Sequence, residues 1–273
     1  MGGFFYFYQG SYLFRSDIEL PFKPANLPPT QLKTIESNTD FNILEITTTN
    51  QIPEFAHTEF KHELATLVIH DKTAYIQFKP SVTLENKQLF IYRFVIPSLL
   101  KQKGLIVLHA SAMVLNGNVT IVIGPSGSGK SLYTANKIKE GAQLYADDLL
   151  FLEYHQGEIY ASGGQPVFHF DASSLEKLNV KKMDTFPVHG STKRSLQARV
   201  IGGEQVTHKL PITELLFLAG IGETISTLSK AECLKSLLDA EYEMPWLEEE
   251  TLSYQKKLQQ LTVLTTLTTA LIH

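Results

Sequence analysis

Eight consecutive residues carry the clearest chemistry in this chain. Gly124, Pro125, Ser126, Gly127, Ser128, Gly129, Lys130 and Ser131 spell a complete G-x-x-x-x-G-K-[ST] phosphate loop. Glycines at these positions let backbone N–H groups close around phosphate oxygens at the positive end of a following helix. Lys130 is then placed to reach the β- and γ-phosphates, and the Ser131 hydroxyl to take one site on a magnesium ion. Leu132 completes the nucleotide-binding stretch. Such a loop needs a strand before it and a helix after it, and both are legible. Asn118 to Ile123 is a short β-branched, apolar run, while Leu132, Ala135 and Ile138 recur at helical spacing from Ser131 to Lys139, with Gly141 as a stop. The expectation is a site for ATP with Mg2+.

A second group stands one helix further on. Gln143 to Ala146 is an apolar stretch that ends in Asp147 and Asp148, where a Walker-B acid belongs. Two adjacent carboxylates beside Mg·ATP divide the work of phosphoryl transfer: one holds the metal, the other accepts the proton of an incoming hydroxyl. The assignment made here gives Asp147 the role of base and Asp148, with Ser131, the metal. His109 lies in the apolar run 105–115. Asn116-Gly117 is a strong hairpin signal, so 105–115 and 118–123 are expected as antiparallel neighbours. From such a strand His109 either orients one carboxylate, contacts the transferred phosphate, or is a satisfied core histidine.

Taken together, His109, the loop from Gly124 to Ser131 and Ala146-Asp147-Asp148 resemble the catalytic domain of the HPr kinase/phosphorylase family. The order and the spacing agree, with 21 residues from His109 to Lys130 and 17 from Lys130 to Asp147. The resemblance covers about residues 104–160. Gly164 to Phe170 and Lys193-Arg194 resemble segments of the wider group. The N-terminal part looks like the β-rich start of HPr-kinase-like proteins, some of which phosphorylate ribosomally made peptides such as lasso-peptide precursors. The resemblance implies an α/β P-loop kinase domain of the HPr kinase, PEP carboxykinase-like, type. It also implies transfer to a serine of a protein or peptide. A small-metabolite kinase and a nucleotide-dependent regulatory switch are the alternatives.

The remaining elements must position these groups. Residues 1–103 read as a β-rich domain that ends in a helix, and 104–273 as the catalytic domain. Strands are expected near the N-terminus, at 41–48, and at 65–70 and 74–78, the last two joined at Asp71-Lys72. Pro21, Pro24, Pro28 and Pro29 mark a loop, and Gly10 a break. Residues 85–103 read as a helix that Pro97 kinks or restarts. Histidines 57, 62 and 70 match no common metal spacing and read as structural or solvated. Ser162-Gly163-Gly164-Gln165 looks like an ABC-type ATPase signature but follows the acid pair too closely, so a glycine turn is expected. Residues 184–210, rich in Gly, Ser, Lys and Arg, read as a loop. Either it closes over the phosphates with Lys193 or Arg194 supplying charge, or it is simply solvated. Leu215 to Leu218 reads as a core strand, and 231–240 and 248–272 as helices that pack or pair two copies in a homo-oligomer.

Composition narrows the classes. A net charge of −4 gives no electrostatic footprint for nucleic acid or an anionic membrane. Cys233 is the single cysteine, which excludes an intramolecular disulfide and fits a reducing compartment. Met1 to Tyr8 lacks the basic region and cleavage site of a signal peptide, and Tyr6 stands where myristoylation wants Ser or Thr. A cytoplasmic protein is expected.

Overall fold

The computed structural model describes residues 5–9, 12–20, 43–53, 59–164, 167–188, 191–206, 208–218, 225–226, 228–244 and 254–272. Gly10, the four prolines between 21 and 29, His57, Gln165, His189-Gly190 and the start of the expected 248–272 helix lie outside them. The chain divides into two compact units, Met1–Lys103 with Met244–Glu249, and Gly104–Glu243 with Glu250–His273.

The first unit is built on a six-stranded sheet of β1 (Phe5–Gln9), β2 (Tyr12–Ser16), β3 (Ile43–Thr48), β4 (Phe60–Lys61), β5 (Ala65–His70) and β6 (Thr73–Phe78). The spatial order is β1-β2-β3-β6-β5-β4. Alternation along these strands puts Phe14, Leu44, Ile46, Leu67 and Ile76 out of water. Asp71, at φ 56°, turns the β5–β6 hairpin. The expected helix is three segments: α1 (Leu84–Phe90), a π turn (Ile91–Val95) and α2 (Ile96–Gln102). Pro97 falls in the first turn of α2, where its missing N–H costs least, and the wider π turn takes up the irregularity before it. His62 packs against Phe60, Phe90 and Phe94 with ring centroids 5.1–5.9 Å apart and accepts a hydrogen bond from the Leu64 N–H. It is a structural histidine.

The second unit holds the loop. Its elements are β7 (Ile106–Leu108), β8 (Ser111–Leu115), β9 (Asn118–Ile123), α3 (Lys130–Lys139), β10 (Gln143–Ala146), β11 (Leu150–His155) and β12 (Glu158–Ser162). There follow β13 (Val167–Phe170), α4 (Ala172–Lys177), β14 (Phe186–Pro187), β15 (Arg194–Gln197) and β16 (Leu210–Leu218). The last are β17 (Ile225–Ser226), α5 (Lys230–Asp239), α6 (Tyr254–Leu264) and β18 (Thr268–Ile272). The main sheet runs β10-β8-β9-β16-β12-β11-β7, with β18 added beside β16 and paired with β17. β9 and β18 both run parallel to β16, so the carboxyl ends of three neighbouring strands open on one edge. That edge is where open α/β sheets bind ligands.

Three expectations are corrected here. The run 105–115 is two strands rather than one. β7 pairs with β11 while β8 pairs with β9 and β10, and the chain changes partners at His109-Ala110. His109 therefore stands in a break, its N–H donated to the Ala240 carbonyl at 2.7 Å. Residues 184–210 are not one open loop. They supply β14, β15 and the 3-10 turn Ala198–Ile201, because Phe168, Phe170, Leu196 and Ala198 have an apolar cluster to enter beneath α3 with Ala135 and Ile138. The C-terminal helix ends at Leu264, and the β-branched run after it becomes β18, satisfied by the open edge of β16. Among the described residues no helix is long and apolar enough to cross a membrane.

Candidate functional site

The loop leaves β9 at Ile123 and enters α3 at Lys130. Gly127 and Gly129 sit at φ 82° and 92°, conformations that a side chain would resist. Gly124 is held for another reason: a Cβ there would lie 2.4 Å from the Leu218 carbonyl oxygen and 2.7 Å from Ser128 Oγ. The bend is closed by the Ser128 N–H donating to the Pro125 carbonyl. The Lys130 ammonium lies inside this bend and donates to the carbonyls of Gly124 (2.8 Å) and Pro125 (3.0 Å). Burial holds its pKa below the usual lysine value. Asp147 and Asp148 pull it back up, and the nearby charge of Lys193 lowers it further. Among the described residues Ser128 Oγ is buried and has no hydrogen-bond partner, a hydroxyl left for a ligand.

The acid pair follows β10 directly, and the two carboxylates have different surroundings. Asp147 is 2% exposed. It accepts hydrogen bonds from Ser111 and from Ser131, and burial pushes its carboxyl up to about 6. Asp148 has a side chain 23% exposed, with Oδ1 3.3 Å from His109 Nε2. Its backbone is unusual. Asp148 has φ 72°, and the Leu149 N–H donates to the Asp147 carbonyl at 3.0 Å. That is a γ-turn of the rarer, strained kind, which turns consecutive carboxylates in different directions.

The structure thus brings Lys130, Ser131, Asp147, Asp148 and His109 to one end of the sheet. Arg194 is engaged elsewhere. Its guanidinium donates to Thr185 Oγ1 (2.5 Å), the Thr185 carbonyl (2.9 Å) and the Lys182 carbonyl (3.3 Å), so it straps β14 to β15. Lys193 is the basic residue of that segment whose charge reaches Lys130. Ser111 was not foreseen. A small hydroxyl two residues beyond His109 in an otherwise apolar strand is the signal that would have found it. His169 lies against Ser195, Nδ1 to Oγ 3.1 Å, on the small sheet.

Beside the loop is a cavity of about 500 Å³. It is lined by apolar residues such as Phe217, Leu218 and Leu228, by Gly124 and Pro125 of the loop, and by polar residues from one face of α5, among them Glu232 and Lys235. Its size suits a small organic ligand. Among the described residues no three His, Cys, Asp or Glu side chains converge as a metal cage. The Ser131 hydroxyl and the Asp147 carboxylate, hydrogen-bonded to each other, offer the one or two protein oxygens that a magnesium ion takes when phosphates and water supply the rest.

No family model matches the chain, and no curated protein does. Among solved structures, the Hpr(Ser) kinase/phosphatase from Coxiella burnetii is similar at 16% identity, with a TM-score of 0.28. The match covers 41% of this chain and 58% of that one, so the chain spans little more than half of the structure it matches. What the fold defines is a mixed α/β protein of several sheets.

Proposed function

We propose that the second unit is a P-loop kinase domain of the HPr-kinase type. It transfers the γ-phosphoryl group of ATP, with Mg2+, to a serine hydroxyl of a protein or peptide. The observation that carries this reading is the division of labour around one loop. Lys130 lies within it, Asp147 is bonded to the Ser131 hydroxyl, and Asp148 stands beside His109. This geometry favours exchanging the roles assigned to the two acids on sequence grounds. Asp147, buried against Ser131, holds the metal side, and the more exposed Asp148 is the base. Ser131 and Asp147 would hold a Mg2+ ion, which would supply charge neutralisation on the triphosphate. Lys130 turns from the loop carbonyls to the β- and γ-phosphates. The serine oxygen forms the new bond to the γ-phosphorus as the bond to the β–γ bridging oxygen breaks. The serine proton passes to Asp148, which His109 orients and whose protonated form it accommodates.

The test is incubation with γ-labelled ATP, Mg2+ and peptides that carry one serine, following label into peptide, free phosphate and protein. Label on serine, lost in Asp148→Asn, is expected. Label that goes only to free phosphate, at a rate no peptide changes, overturns the reading in favour of a regulatory switch. The cavity beside Gly124 favours one second reading, a small hydroxylated metabolite as acceptor. It would be taken up if peptides fail and such a metabolite is labelled.

A further inference from the structure

Residues 177–199 carry six Lys or Arg and one acidic residue in a chain whose net charge is −4. Within this basic stretch two large apolar side chains stand in water: Met183 is 83% exposed and Phe186 54%. Single exposed apolar residues are ordinary. These two are three positions apart on a segment that is fixed in place. The 3-10 turn Lys182–Asp184 leads into β14, and Phe186 is paired with Ser195. Thr185 Oγ1 donates to the Lys182 carbonyl at 2.7 Å, and the Arg194 guanidinium spans Thr185 and the Lys182 carbonyl. The inner face of the same small sheet is anchored by Phe168, Phe170 and Leu196 under the phosphate-loop helix. The exposure of Met183 and Phe186 is thus built in, and a partner that covers them finds them already ordered.

We propose that Lys181, Lys182, Met183, Phe186 and Lys193 form the docking surface for the acceptor polypeptide, which carries carboxylates around one large apolar residue. The proposal rests on the kinase reading for what happens after docking, and on the surface alone for the binding. Charge complementarity selects the occupant: a local excess of positive charge on a negatively charged protein draws an acidic segment and repels a basic one. The flexible thioether of Met183 beside the Phe186 ring suits an apolar side chain of no single shape. Location gives the surface its use. The small sheet packs through Phe168, Phe170 and Leu196 against Ala135 and Ile138 of the phosphate-loop helix, so a segment docked on its outer side lies one element away from the loop, where the charge of Lys193 is also felt by Lys130. Nucleic acid is the other polyanion to consider, but one aromatic ring makes no stacking platform for successive bases.

The experiment uses the full chain with Mg2+ and a non-hydrolysable ATP analogue. Fluorescence anisotropy follows three labelled 15-residue peptides that share one serine: one with four Glu around a Leu, one with Gln for each Glu, and one with Ala for the Leu. The acidic, Leu-bearing peptide is expected to bind at least tenfold more tightly than either control. Lys181→Glu with Lys182→Glu, and separately Met183→Ser with Phe186→Ser, are each expected to lose at least tenfold, with melting temperature and ATP-analogue affinity unchanged. Equal binding of the three peptides, full binding by either double variant, or tighter binding of a single-stranded oligonucleotide overturns the proposal. With ATP in place of the analogue, binding without label on serine sinks the kinase reading and leaves the docking surface standing. Label on all three peptides alike does the reverse.

Discussion

His109 Nε2 lies 3.3 Å from Asp148 Oδ1, although 39 residues separate them in the chain. The pairing depends on two local irregularities. The break between β7 and β8 lets the His109 N–H leave the sheet for the Ala240 carbonyl, and the γ-turn gives Asp148 its positive φ. Without the turn, Asp148 would follow strand alternation away from Asp147, and the two acids could not serve one site from different sides.

The two acids are expected to differ in their response to metal. Asp147→Asn should raise the Mg2+ concentration for half-maximal transfer by at least tenfold, because its carboxylate faces Ser131. Asp148→Asn should lower kcat by about 10²- to 10⁴-fold, the range of a lost general base, at an unchanged Mg2+ requirement. Mg2+ titrations of labelled-phosphate transfer check this. The opposite pattern restores the sequence-based assignment.

Asp147 also makes a prediction about stability in the absence of metal. Burial raises its carboxyl from 3.8 to about 6, so between those values the unfolded chain releases a proton that the fold retains. Stability from this group is therefore full below pH 4 and lost as pH rises through about 6. Two units are worth about 3 kcal/mol for a fully buried group. With EDTA present, Asp147→Asn should melt above the wild type at pH 7.5, and the gap should narrow toward pH 4.5. A gap that does not change across that range would falsify the burial argument.

Lys130 and Gly124 separate charge from shape. Lys130→Ala should abolish transfer while leaving the far-ultraviolet spectrum and the melting cooperativity intact, since the bend comes from glycine φ values and the Ser128–Pro125 bond. Gly124→Ala drives a methyl into the Leu218 carbonyl and Ser128 Oγ, so it should lose nucleotide affinity and stability together, the latter by about 1–3 kcal/mol of overpacking. Calorimetric titration with ATP, beside thermal melts, reads both.

The loop, its strand and its helix were legible because phosphate cradling ties residue type tightly to backbone conformation. β9 has the bounds of the apolar run read from the sequence, and α3 begins one residue before the helix expected there. The partner change at His109 was not legible, because 105–115 is uniformly apolar and composition does not say which neighbour each half will pair with. The end of α6 was missed for a related reason. Thr and Leu at 265–272 suit a helix face or a strand, and only the open edge of β16 decides between them. The small sheet of β13, β14 and β15 was hidden because its strands are two to four residues long and the sequence between them reads as loop.

Arg194 distinguishes a catalytic from a positioning role. A cation that neutralises the transferring phosphoryl group is worth about 10³- to 10⁵-fold in kcat. A strap that holds Thr185 and Lys182 in place is worth the hydrogen bonds it makes, about 1–3 kcal/mol of local stability. Arg194→Ala should therefore leave kcat within a few-fold at saturating acceptor. It should raise the acceptor KM, because Met183 and Phe186 are no longer held in register, and expose the segment around 182–188 to limited proteolysis. Arg194→Lys should behave like Arg194→Ala, since a single ammonium cannot reach the Thr185 hydroxyl and two carbonyls in one planar fork. Lys193→Ala should show the complementary pattern, an unchanged proteolytic map with a change in transfer, because its side chain is exposed and its charge is felt at Lys130. A thousand-fold fall in kcat for Arg194→Ala, with the proteolytic map of the wild type, would return this residue to the phosphates and take the strap away.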